Sequence, residues 1–115
     1  MAIGLSRWHK LNPSFIGAVP DEPGVFEIAN LVRTVLYVGR AEGNLRQRLA
    51  SLGTVPTNLP ASVGGYYVRY CRHADEEAAL AEAQTSYRES HAGHLPAGNE
   101  SLPRPTIRLI ARNAA

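Results

Sequence analysis

The chain has 115 residues, 44% of them hydrophobic and 19% charged, with a formal net charge of +2. These values suit one soluble globular domain with a single modest core. No apolar run approaches the roughly 20 residues that span a bilayer, no basic start leads into an apolar h-region, and Cys71 is the sole cysteine. The expectation is therefore a cytoplasmic protein with no membrane span, no secretory signal and no internal disulfide.

Eleven of the twelve basic residues are arginine, Lys10 being the only lysine. The flat guanidinium fork suits phosphate, although codon usage alone would give the same bias. Asp75, Glu76, Glu77, Glu82 and Glu89 sit late in the chain, whereas much of the basic charge lies between Arg33 and Arg72. The asymmetry permits a basic surface.

Residues 1–12 carry Trp8 and His9 without a clear period and read as an arm packed onto the domain. Asn12-Pro13 is a helix start, a capping Asn before a proline at the first helical position, and Gly17 and Pro20 keep that helix short. Asp21-Glu22-Pro23-Gly24 is a turn. Residues 24–29 then alternate as a strand with Phe26 and Ile28 on one face and Val25, Glu27 and Ala29 on the other. Asn30-Leu31-Val32-Arg33-Thr34 is a polar turn, and residues 35–39 form the second strand, with Val35, Tyr37 and Gly39 sharing a face. Asn44 is a helix N-cap. Leu45, Leu49 and Leu52 form an apolar stripe that leaves Arg46 and Arg48 off it, and Gly53 suits the C-cap.

Residues 54–65 read as a loop, and residues 66–72 as a third strand with Tyr66, Val68 and Tyr70 opposite Tyr67, Arg69 and Cys71. Asp75 caps a second long helix whose first turn carries Glu76 and Glu77 and which reaches about His91. Leu80, Ala83 and Tyr87 read as its core stripe, with Glu82 pointing elsewhere beside Ala78, Ala81 and Thr85. The proline-bearing tail adds at most an edge strand at residues 106–111. The fold class expected is α+β: a small sandwich with a three-stranded, mostly antiparallel sheet in the order β-β-α-β-α, flanked by helices. One domain spans residues 1–115, with its core at about 20–100, an N-terminal arm and helix, and a C-terminal tail.

Residues 24–48 organise this chain, a hairpin running straight into a helix, and they carry a resemblance. Gly24-Val25-Phe26 and Tyr37-Val38-Gly39, with ten residues between Phe26 and Tyr37, resemble the paired signatures of the GIY-YIG nuclease superfamily. Residues 44–49 resemble that family's arginine-bearing helix, residues 77–82 its later helix with a metal-binding glutamate, and Asn99 the asparagine that closes its domain. The chain is similar to the nuclease module that opens the bacterial excision-repair incision subunit.

The resemblance implies a metal-dependent endonuclease-like domain that hydrolyses DNA phosphodiester bonds. Tyr37, Arg40 and Arg48 would stand at the phosphate and Glu82 on a divalent metal, Mg²⁺ or Mn²⁺. Gly24, Phe26, Gly39 and Asn99 would be motif residues. Such chemistry needs a water deprotonated, equatorial charge balanced and a leaving oxygen stabilised. A single glutamate with waters and substrate oxygens is a common Mg²⁺ arrangement. Arg46, and Arg69 on the tyrosine-rich third strand, are further candidates for nucleic-acid contact.

Three departures accompany the likeness. Phe26 has no hydroxyl where the family signature ends in tyrosine, Leu52 stands where relatives carry His or Tyr, and Gly43 is one residue more than the family's loop. They support an alternative, a catalytically impaired module that kept the fold and binds nucleic acid or a protein partner without cleavage. Each residue also has an ordinary reading: Tyr37 as a packed strand tyrosine, the arginines as solvated, Glu82 as a helix-surface acid. Cys71, His73, His91 and His94 depart from zinc-framework spacing, so a buried thiol and a helix-end histidine pair are the preferred reading.

Overall fold

The computed structural model describes residues 4–54, 56 and 59–100. In chain order these form β1 (His9–Lys10), α1 (Pro13–Ala18), β2 (Gly24–Ala29), β3 (Val35–Arg40), α2 (Leu45–Leu52), β4 (Tyr67–Arg72), α3 (Glu76–Ser90) and α4 (Ala97–Glu100). The class is α+β, with an antiparallel sheet flanked by helices, and the β-β-α-β-α run is present.

The sheet has four strands, not three, in the order β1-β4-β2-β3. The added strand is two residues long and pairs His9 with Val68 and Lys10 with Tyr67. Two residues cannot show an alternation, so the strand has no sequence signature. The arm continues this pairing at both ends, Ser6 N–H donating to Tyr70 O at 2.8 Å and Leu11 N–H to Tyr66 O at 2.9 Å. The expected tail strand at residues 106–111 lies outside the described residues.

Local chemistry sets the element boundaries. The side chains of Asn12, Asn44 and Asp75 accept from the backbone N–H groups of Phe15, Gln47 and Ala78 at the starts of α1, α2 and α3, each satisfying an otherwise orphaned donor. In the hairpin turn, Asn30 Oδ1 accepts from Val32 N–H at 3.1 Å and Thr34 N–H at 2.9 Å, an Asx turn built by one side chain.

Register assigns the faces. Phe26 pairs with Gly39 and Tyr70, and Ile28 with Tyr37 and Val68, so these residues share a face. With Ile16 of α1 and Leu45 and Leu49 of α2 they form the main core. Val25, Glu27 and Val38 lie on the opposite face, beneath α3, whose buried positions are Ala79 and Ala83. All six residues of β2 are consequently buried.

Two expectations about facing change here. The β2–β3 register slips between Ile28 and Ala29, so that Ala29 pairs with Val35 while Ile28 pairs with Tyr37. This bulge makes Leu36 the extra residue; Leu36 joins the core under α2, and Val35 parts company with Tyr37. On α3 the buried stripe centres on Ala79 and Ala83, leaving Leu80 and Tyr87 half-buried. Glu82 turns with it: it is half-buried beside Ala83, whereas Ala78, Ala81 and Thr85 are exposed.

The two-residue β1 is one edge of the sheet and β3 is the other. The arm runs along β4, and at the far edge Asn99 reaches back to β3. Its Oδ1 accepts from Val38 N–H and its Nδ2 donates to Val38 O, each at 2.8 Å. One amide side chain thus does for Val38 what a neighbouring strand would do.

Asn99→Ala is expected to lower unfolding free energy by about 1–2 kcal/mol, read as a shift of the urea midpoint. Gly24 and Gly17 give a matched pair. A Cβ on Gly24 would lie 2.2 Å from Cys71 O, so Gly24→Ala is expected to cost at least about 2 kcal/mol. Gly17, inside α1, has nothing within 4 Å of that position, and Gly17→Ala is expected to stabilise by about 0.5–1 kcal/mol. The same urea titration compares the two.

Candidate functional site

The hairpin delivers the chain to α2 through residues 41–44. Ala41 N–H donates to Gly24 O at 2.8 Å and Leu45 N–H to Glu22 O at 2.8 Å, so the start of the helix is stitched to the start of β2. Within the loop Glu42 has φ 56° and Gly43 φ 99°; the second value is readily adopted only by glycine. Gly43 therefore takes up a left-handed turn. Its N–H donates to Glu76 Oε2 at 3.0 Å, and the same oxygen accepts from Gly24 N–H at 2.9 Å. Glu76, in the first turn of α3, thereby joins the loop, β2 and that helix.

Tyr37 lies half-buried against the core, its ring centroid 6.0 Å from that of Phe26. Gly39 makes room for it, since a Cβ there would stand 2.4 Å from Tyr37 Cε2 and 3.1 Å from Phe26 Cζ. The spacing of tyrosine and glycine in the second signature has this steric basis. Phe26 itself is 0% exposed. Its para carbon points at the space over Gly39, where a tyrosine hydroxyl would lie.

Arg48 lies on α2 and lines a concavity of about 170 Å³ with Ala41, Glu42, Asn44, Gln47 and Ser51. Its Nε is buried and has no hydrogen-bond partner among the described residues. A buried unpaired N–H on a cation is costly, and an oxygen ligand at this position would satisfy it. Arg40 is exposed at the end of β3 and borders a separate concavity of about 490 Å³ with Pro23, Gly43, Asp75, Glu76 and Glu77. Loop 41–44 runs between the two.

Tyr37 and Arg48 thus belong to the α2 side of the sheet, and Arg40 and Glu82 to the α3 side. A site using all four would straddle the β3 edge, the edge that Asn99 holds. Glu82 is already engaged in an interaction. Among the described residues no group of three or more His, Cys, Asp or Glu side chains is placed to hold a metal ion.

The two further arginines have structural partners. Arg46 donates from Nε to Val19 O at 2.8 Å and from Nη1 to Asp21 Oδ2 at 2.9 Å, tying α2 to the end of α1. Arg69 pairs across the sheet with Glu27, which is 5% exposed; its Nε and Nη2 both reach Oε1 at 2.8 Å. The Trp8 ring lies 4.5 Å from the Arg69 guanidinium.

Glu76 reads from sequence only as an acid complementing the helix dipole, and its role as a two-donor acceptor is visible only in the structure. The sequence carries no signal for it, because every residue except proline has a backbone N–H and only the fold brings those of Gly24 and Gly43 to one carboxylate.

No curated protein and no solved structure matches this chain. One family does, over residues 3–90. The chain belongs to the family described as Domain of unknown function (DUF7508).

Proposed function

We propose that the chain is a GIY-YIG-type domain that engages the phosphate backbone of DNA, with Arg48 as the phosphate ligand. The observation that carries this reading is the buried, unpartnered Nε of Arg48, a residue that also lines a small concavity. It stands at the helix position where the resemblance expects a phosphate contact. A phosphate oxygen there would exchange an unsatisfied donor for a charge-assisted hydrogen bond. The hairpin-to-helix course of the chain and the closure of β3 by Asn99 support the same likeness.

Binding without cleavage is the form the geometry favours. Phe26 is fully enclosed and has no hydroxyl, so nothing at that position can relay a proton from an attacking water.

Metal-dependent hydrolysis is the second reading, favoured by Tyr37, whose half-buried ring lies over Gly39 with its hydroxyl retained. In donor count Glu82 suits Mg²⁺ or Mn²⁺, which commonly take a single protein carboxylate alongside waters and phosphate oxygens. Such an ion would offset charge on the phosphate and acidify a bound water. Arg48 and Arg40 would hold the phosphate from the two sides of β3, and Tyr37 would orient the water.

Arg48→Ala is expected to weaken duplex-DNA binding about tenfold at low salt, with a shallower salt dependence, in a fluorescence anisotropy titration. Arg46→Ala, whose guanidinium is spent on Val19 and Asp21, is expected to change affinity by less than about twofold. Unchanged affinity on loss of Arg48 would remove the proposal. In cleavage assays with Mg²⁺ or Mn²⁺ on nicked, branched and plain duplexes, the wild type is expected to bind without cutting. Cutting abolished by Glu82→Gln and by Arg48→Ala would establish hydrolysis instead.

A further inference from the structure

On one face of the sheet α3 packs over β2 and β3. Beside it, β4 and the arm present a strip of side chains that stays half-buried or exposed: Trp8, Lys10, Tyr67 and Arg69. We propose that this strip binds single-stranded nucleic acid.

Register builds the strip. Arg69 pairs with Glu27, which sets Arg69 and Tyr67, two residues before it, on the α3 face. Lys10 is the cross-strand partner of Tyr67, and its Nζ lies 5.5 Å from the Tyr67 ring centroid. One step along, the Trp8 ring centroid lies 4.5 Å from the Arg69 guanidinium carbon. Each row therefore holds one ring and one cation, in reversed order, and the rows stand about 6.8 Å apart, the repeat of two strand residues. The hairpin turn adds a third cation, Arg33, whose guanidinium carbon lies 3.7 Å over the same Tyr67 ring.

Charge selects the ligand. Glu27 is the only acid in the four strands, and it is 5% exposed and taken by Arg69. Lys10 and Arg33 are exposed. Each gives one hydrogen bond to a nearby carbonyl, that of Gly64 or of Leu31, which fixes the side chain and leaves further N–H donors for phosphate. A polyanion whose repeat also carries a flat π-face answers both the cations and the rings. Single-stranded nucleic acid is such a polymer, whereas a duplex keeps its base faces stacked inside and an acidic polypeptide has none. Phosphates would meet Lys10 and Arg33 while bases stack along the rings and the guanidinium of Arg33. The backbone of Arg33 points the same way. Its φ of 69° is a left-handed conformation that glycine, asparagine or aspartate takes more readily, so the arginine is kept against the local backbone preference. The strip lies across the sheet from α2, and it does not rest on a phosphate at Arg48.

Trp8 is the only tryptophan, so its emission reports on the strip. The test titrates the full chain with oligo-dT, oligo-U, a blunt DNA duplex and polyglutamate, following tryptophan fluorescence. Saturable quenching is expected with one or both single strands, about tenfold tighter or more than with the duplex or polyglutamate. Arg33→Gly relaxes the left-handed turn while removing the cation. It is expected to hold the urea midpoint near the wild-type value and weaken single-strand binding about tenfold. Tyr67→Leu, which keeps apolar bulk without the π-face, is expected to weaken it similarly. Loss of Arg48 is read separately, in duplex anisotropy, so the two sites can fail independently. No saturable quenching with either single strand, equal affinity for the duplex, or affinity unchanged in Arg33→Gly would overturn the proposal. Equal affinity for polyglutamate would overturn it in favour of an acidic protein segment.

Discussion

One carboxylate oxygen holds the working end of this domain together. Glu76 Oε2 takes the N–H of Gly24, which opens the central strand, and the N–H of Gly43, which turns the chain into α2. Three segments distant in sequence meet on that atom. Each donor is a backbone group that would otherwise face an interior or a tight turn without a partner, and leaving it so is costly. Gly24 is further confined by Cys71 O, so β2 cannot shift along β4 to escape the clasp. The positions of Arg40 and Arg48, on either side of loop 41–44, follow from it.

The second constraint is that β2 is covered on both faces. A hairpin with one wet face would tolerate sliding by two residues, but here a slip would drive Glu27 out of line with Arg69 and Phe26 out of line with Gly39. The bulge at Leu36 reconciles this fixed register with the Asx turn, since it lets Asn30 close the hairpin while Tyr37 stays opposite Ile28. Among the described residues, two concavities flank the α2 loop and one cavity lies under the end of α3.

Much of this was legible in the sequence, and where it was, a residue's own chemistry sufficed. Asn12, Asn44 and Asp75 announce three helix starts because a short polar side chain before an apolar period has few other uses. Leu45 and Leu49 announce the buried face of α2 by spacing alone. The four-strand count was not legible, because His9 and Lys10 become a strand only by lying beside β4. Nor were the bulge at Leu36 and the rotation of α3 onto Ala79 and Ala83, which depend on how two elements meet. The site divided in the same way. Tyr37 and Gly39 stand next to each other for a local steric reason that the motif encodes. The engagement of Arg46 and Arg69 by Asp21 and Glu27 depends on partners 25 and 42 residues away, and an arginine in isolation reads equally well as a phosphate ligand.

The amide of Asn99 closes β3 from 61 residues downstream of Val38. During synthesis the hairpin, α2, β4 and α3 can all assemble before that amide exists. Until it arrives the outer edge of β3 presents an unpaired N–H and C=O to its surroundings, and the strand on that edge is largely apolar. A nascent or truncated chain ending after α3 would therefore carry an open template for pairing with a second molecule. In this sense α4, which carries Asn99, guards the β3 edge against self-association, and it does so only once the strands and helices before it are in place.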